Sequence, residues 1–173
     1  SARDGRYVLR IPNEEVQQEF WDLTASYFNV SESNLSAMFN GLRYEERERF
    51  AQSYADMLQS LPSYHDLKDE NSYHVLFLGM CAWLSNEYEI KSNREAGKGR
   101  CDIILKAKKE RLPSYVLELK YLKEADEKEL EASARAAIDQ IKARRYDIEL
   151  ADKVILVGLA HAGKEVRIAW QER

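Results

Sequence analysis

Gly99-Arg100-Cys101-Asp102-Ile103-Ile104, followed after a charged loop by Val116-Leu117-Glu118-Leu119-Lys120, decides how this chain is read. In a strand, side chains two residues apart point the same way. Leu117 and Leu119 therefore face a core, while Glu118 and Lys120 share the opposite face. Pro113 helps set the loop between the two stretches. A symmetric hairpin centred near Glu110 pairs residues whose numbers have a constant sum, and that register puts Asp102 directly opposite Glu118. Directly opposed residues have Cβ atoms about 5 Å apart. A slip of one residue turns Asp102 to the other face, so the reading stands on this register.

Two carboxylates at that separation repel, and the edge of an apolar sheet makes the repulsion costlier. A divalent cation between them removes the conflict, and oxygen donors suit the hard ions Mg²⁺ or Mn²⁺. The expected ligands are Asp102, Glu118 and the backbone carbonyl of Leu119. Lys120, beside them, is expected to orient the attacking water and to stabilise charge building on a phosphate. A Glu-x-Lys on a strand is a weak signal alone, because surface strands carry it by chance. An Asp on the preceding strand and the element order around it give it weight.

Outward from the hairpin, the periodicities predict the remaining elements. Tyr7 to Ile11 reads as an extended lead-in. Val16, Phe20, Leu23 and Tyr27 recur at helical spacing, predicting a helix over 14–28. Ser31 or Ser33 caps a second helix carrying Leu35, Met38 and Phe39, closed by Gly41. A third runs over 44–60 and is stopped by Pro62. Residues 70–85 form a helix that is apolar almost all round, expected to be buried against a sheet. Strands follow at 87–92, 101–107 and 114–121. A charged helix over 124–146 turns Leu130, Ala134, Ala137, Ile138 and Ile141 inward. Residues 153–160 read as a buried strand, and Lys164 to Trp170 as the last. The order from residue 70 is α-β-β-β-α-β-β, an α/β class with a mixed sheet flanked by helices. Residues 1–66 read as an N-terminal helical subdomain and residues 67–173 as the core.

The chain has 173 residues, is 45% hydrophobic and 32% charged, and carries a formal net charge of −4. This is enough apolar material for one core on a solvated surface. The charge is unevenly spread. Residues 1–70 hold 7 basic and 13 acidic side chains, whereas residues 91–120 hold 9 basic and 4 acidic. A local basic patch can engage phosphate despite an acidic average, and Arg94, Lys98 and Arg100, just ahead of Asp102, are its candidate contacts. Cys81 and Cys101 have no CxxC spacing and read as reduced thiols in a cytoplasmic protein. No apolar run has the length of a membrane span. An opening without Met points to a piece of a longer chain. His65 and His161 read as surface residues.

The pattern Ser92-Asn93-Arg94-Glu95-Ala96-Gly97-x-Gly99-Arg100-x-Asp102-Ile103, then Glu118-Leu119-Lys120, then Gln140-Ile141 and Tyr146, resembles the PD-(D/E)XK nuclease domain found at the C-terminus of bacterial AAA-ATPase-like proteins. The lead-in Ile11-Pro12-Asn13-Glu14-Glu15-Val16 and the helix start Tyr73-His74 fit that group too. The resemblance implies a restriction-endonuclease-like αβββαβ core and Mg²⁺- or Mn²⁺-dependent cleavage of nucleic acid, DNA in the first place. It also implies an ATPase-like domain upstream in the same full-length chain. It makes Asp102 the metal-binding aspartate, Glu118 and Lys120 the E-x-K pair, and adds Gln140 to the catalytic set, with Tyr146 beyond it. Many members place a further acid on the first core helix. Here that helix offers His74 and, at its start, Glu70, and Glu95 is another candidate. No membrane partner is expected, and homo-oligomerisation is left open.

Two other readings compete. One is a nuclease fold without activity that binds nucleic acid or a partner protein, since a fold does not fix a function. The other is a segment that packs on the ATPase-like domain. The first reading predicts metal-dependent cutting, the second salt-sensitive binding without cutting, the third neither.

Overall fold

The computed structural model describes residues 32–61, 67–94, 101–144, 150 and 153–173, with the backbone alone at 93, 94, 101 and 102. The expected extended lead-in at Tyr7 to Ile11 and helix at 14–28, with Pro62, His65, Glu95, Lys98, Arg100 and Tyr146, lie outside the described residues.

The described elements are α1 (Glu32–Arg43), α2 (Arg47–Ser60), α3 (Glu70–Cys81), β1 (Tyr88–Arg94), β2 (Cys101–Ala107), β3 (Ser114–Tyr121), α4 (Glu127–Arg144), β4 (Val154–Ala162) and β5 (Glu165–Glu172). The five strands form one sheet in the order β1-β2-β3-β4-β5. Only the β3–β4 pair is parallel, and α4 is the crossover that a parallel pair requires. The result is the mixed sheet flanked by helices expected from the sequence.

The two faces of the sheet bury different layers. Ile103, Leu105, Leu117, Leu119, Val157 and Leu159 pack with α1, α2 and α3 in the large core. Ile104, Val116 and Leu156 pack with Ile138 and Ile141 of α4. This two-sided burial explains why β4 reads as a continuous apolar run. Helices α1 and α2 share the large core with the sheet: Phe50 stacks near Tyr54, and Tyr54 meets Phe77 of α3 edge-on.

Several expectations are corrected. Gly41 does not close α1, which continues to Arg43. A Cβ at Gly41 would lie 2.6 Å from the backbone nitrogen of Phe50, so the glycine is there for close packing of α1 on α2. Helix α3 is not buried all round, since Val75 is 52% exposed, and it passes into a short 3₁₀ turn at Ala82–Leu84. Asp69 caps it by accepting from the Ser72 amide. Strand β4 continues to Ala162, which brings His161 inside the fold rather than to the surface. No helix among the described residues is long and apolar enough to cross a membrane.

Candidate active site

The antiparallel β2–β3 ladder pairs Asp102 with Glu118, Ile103 with Leu117, Ile104 with Val116 and Leu105 with Tyr115. This is the register of a hairpin centred at residue 110. The same row continues to Asn93 on β1 and, across the parallel pair, to Gly158 on β4. Asp102 and Glu118 thus hold directly opposed backbone positions on adjacent strands.

Glu118 is fully buried on the α4 side of β3. Burying a lone carboxylate costs several kcal/mol even after relaxation, and two cations offset that cost here. The Lys120 Nζ lies 2.8 Å from Glu118 Oε1, and Arg144 Nη1 lies 2.9 Å from Oε2. Lys120 comes from the same face two residues along, as the alternation dictates. Its side chain keeps 18% exposure, which connects this buried cluster to solvent.

Glu70, in the first turn of α3, approaches from the other layer, with Oε2 4.0 Å from Lys120 Nζ. Burial raises its carboxyl above the usual carboxylate range, Lys120 draws it back down, and the charge of Glu118 adds to the rise. The helix N-terminus favours its anion.

Glu118, Lys120 and Glu70 therefore come together, with Asp102 at the adjoining register position. His74 does not join them. It is buried in the layer on the other face, where Nε2 lies 2.8 Å from Ser92 Oγ. Gln140 is exposed on α4, one turn before Arg144. Arg94 lies at the end of β1. The side chain of Leu119 is in the large core, as the alternation predicts.

Two site neighbours escaped the sequence reading. Arg144 sat unremarked in a helix rich in charges, although any helix that carries Gln140 past the site carries the residue four further on along the same face. His161 is the second. Its Nδ1 lies 3.1 Å from the Lys120 carbonyl oxygen and its Nε2 2.8 Å from the Tyr54 hydroxyl. A carbonyl only accepts, so Nδ1 carries the proton and Tyr54 donates to Nε2. The ring also stacks on Tyr73, with centroids 4.2 Å apart.

The donor set fits a hard divalent cation. Glu118 and Glu70 bring carboxylate oxygens, the donors such an ion takes, to either side of one amine. Among the described side chains no three acids, histidines or cysteines converge on one point, and the Asp102 side chain is not among them.

A profile of the PD-(D/E)XK nuclease superfamily matches residues 68–171. The match starts just before α3 and spans the whole sheet. Comparison with curated proteins gives no match.

Proposed function

The chain belongs to the PD-(D/E)XK nuclease superfamily, and on that premise we propose that it hydrolyses phosphodiester bonds in nucleic acid, DNA in the first place, with the help of Mg²⁺ or Mn²⁺. The observation that carries this reading is the pairing of Asp102 with Glu118 in the ladder, beside a lysine amine 2.8 Å from the glutamate.

Asp102, Glu118 and the Leu119 carbonyl are the groups that would hold the ion, with Glu70 next to them. A divalent cation bound there supplies a Lewis acid for a phosphate oxygen. The chain's own residues do the rest. Lys120 places a cationic amine where negative charge grows on the phosphate, in surroundings where the attraction is weakly screened. The same amine can donate to the attacking water and hold it in line. Water oxygen bonds to phosphorus as the bridging P–O bond breaks, and the leaving oxygen takes up a proton. Arg94, Lys98 and Arg100, close to Asp102 in sequence, are the candidate backbone contacts. The ATPase-like neighbour belongs to this proposal as a partner in the full-length chain.

The test is cleavage of plasmid and single-stranded DNA with and without Mg²⁺ or Mn²⁺, for wild type and Lys120→Ala. Metal-dependent cutting that disappears in a folded Lys120→Ala protein supports the reading. Cutting that survives the substitution contradicts it.

One observation favours the runner-up, a nuclease fold that binds without cutting. Glu118 is wholly buried and both its oxygens are ion-paired. That reading predicts salt-sensitive DNA binding and no cleavage under any metal.

A further inference from the structure

Strand β2 carries more than Asp102. Ile104 and Lys106, two and four residues on, share its face of the sheet by alternation. The ladder sets Lys91 of β1 opposite Ile104, and Glu89 opposite Lys106. Ile104 packs with Ile138, so this is the face that α4 lies on. Helix α4, however, sits over β3, β4 and β5. Beyond Ile104 the face opens to solvent: Lys91 and Glu89 are 48% and 52% exposed, and Lys106 is partly exposed. This open half of the sheet begins at the row of Asp102 and Glu118. It runs to the β2–β3 loop, where Lys109 and Arg111 are exposed. Among the described residues Lys106, Lys109 and Arg111 have no ion pair. Lys91 lies 3.6 Å from Glu89, a contact between two solvated side chains that holds its amine only weakly.

We propose that this open half of the sheet is a track for the phosphate backbone of the nucleic acid, with Lys91 and Lys106 as its contacts leading away from Asp102 and Glu118. This rests on the reading of those two acids as a nuclease site. A strand rises about 3.3 Å per residue, so Lys91 and Lys106 stand about 7 and 13 Å along the sheet from the row of Asp102. Phosphates of one strand recur about every 3.4 Å along a duplex axis. The two amines therefore fall about two and four nucleotides from the bond to be cut. A lysine meets phosphate as a point charge on a flexible stem, so such contacts hold the backbone and read no bases. Against Lys91, Lys106, Lys109 and Arg111 stand only Glu89 and Glu110 on this surface and its loop, a balance that draws a polyanion. Its continuity with a site for cutting phosphodiesters favours nucleic acid over an acidic protein as that polyanion.

The track has a signature independent of catalysis. Binding of a fluorescein-labelled DNA duplex is followed by anisotropy in the presence of chelator, so that nothing is cut, across a series of KCl concentrations. Wild type is compared with Lys91→Gln, Lys106→Gln, the double variant and Lys106→Arg, and thermal midpoints check that each is folded. Arg135→Gln, which removes an exposed cation on the far side of α4, is the control for net charge. The slope of log affinity against log salt should shrink by about one for each amine in contact, hence by about two in the double variant. Lys106→Arg keeps the cation and should keep the wild-type slope, as should Arg135→Gln. A double variant with the wild-type slope, or one matched by Arg135→Gln, overturns the track and leaves this face to a protein partner. Absence of DNA binding by wild type at low salt removes the nucleic-acid reading itself, and the track with it.

Discussion

The Nδ1 of His161 donates to the carbonyl oxygen of Lys120 across 3.1 Å, tying β4 to the strand that carries the candidate lysine. The link continues through Nε2 to the hydroxyl of Tyr54 on α2. Burial pushes His161 down to about 4, against a small upward pull from the Lys120 carbonyl. The imidazole is therefore neutral in the folded chain.

This sets a pH dependence. Below the ordinary histidine value of 6.5 the unfolded chain takes up a proton that the folded chain refuses until about pH 4. Stability from this residue is thus full above 6.5 and declines as pH falls toward 4, by up to about 3 kcal/mol. Urea midpoints of wild type and His161→Gln, compared near neutral pH and near pH 4.5, isolate the contribution. Wild type should lose more stability than the variant on acidification; an identical loss in both would count against it.

Tyr54→Phe removes the hydroxyl that donates to His161 Nε2. A buried acceptor left without a partner costs about 1–3 kcal/mol. The loss should appear in equilibrium denaturation at neutral pH. A Phe variant as stable as wild type would mean that the ring does not depend on the tyrosine.

Gly158 lies in the same sheet row as Glu118, beneath α4. A Cβ there would come within 2.0 Å of the Ala134 carbonyl oxygen, a backbone atom with nowhere to yield. Gly158→Ala should therefore lift α4 and destabilise the protein by about 2 kcal/mol or more. Because Arg144 ends the same helix, its pairing with Glu118 should loosen as well. Unchanged denaturation midpoints would show that the helix is not seated as closely as its contacts indicate.

Glu118→Gln leaves Lys120 and Arg144 facing a neutral amide in a buried setting. Breaking a buried ion pair by removing one partner typically costs about 3–5 kcal/mol. The variant should melt well below wild type, and Mn²⁺ should not restore it. A melting curve that Mn²⁺ lifts in the variant as much as in wild type would exclude Glu118 from the ion's shell.

The hairpin was legible because three local signals agreed: alternation in Val116 to Lys120, the proline in the loop, and near-equal arms about Glu110. Together they fix the register that pairs Asp102 with Glu118. Strands β2 and β3 match the expected ranges for the same reason. Element ends elsewhere shifted where tertiary packing decides them. Gly41 looked like a helix terminator because glycine often is one, yet its lack of a side chain serves the α1–α2 contact. His161 looked like a surface residue because the sequence shows no partner for it. Nothing local announces a partner on Tyr54, 107 positions away. Arg144 meets Glu118 only because α4 crosses β3 at a particular angle, and a single sequence does not carry helix crossing angles.

The central claim is that Asp102 and Glu118 together hold a divalent ion. A calorimetric titration of Mn²⁺ into wild type and Asp102→Ala addresses it most directly. Wild type should show one saturable site and Asp102→Ala a loss of about tenfold or more in affinity, with the variant as well folded as wild type without metal. Equal Mn²⁺ binding by the two proteins, or none by wild type, would contradict it.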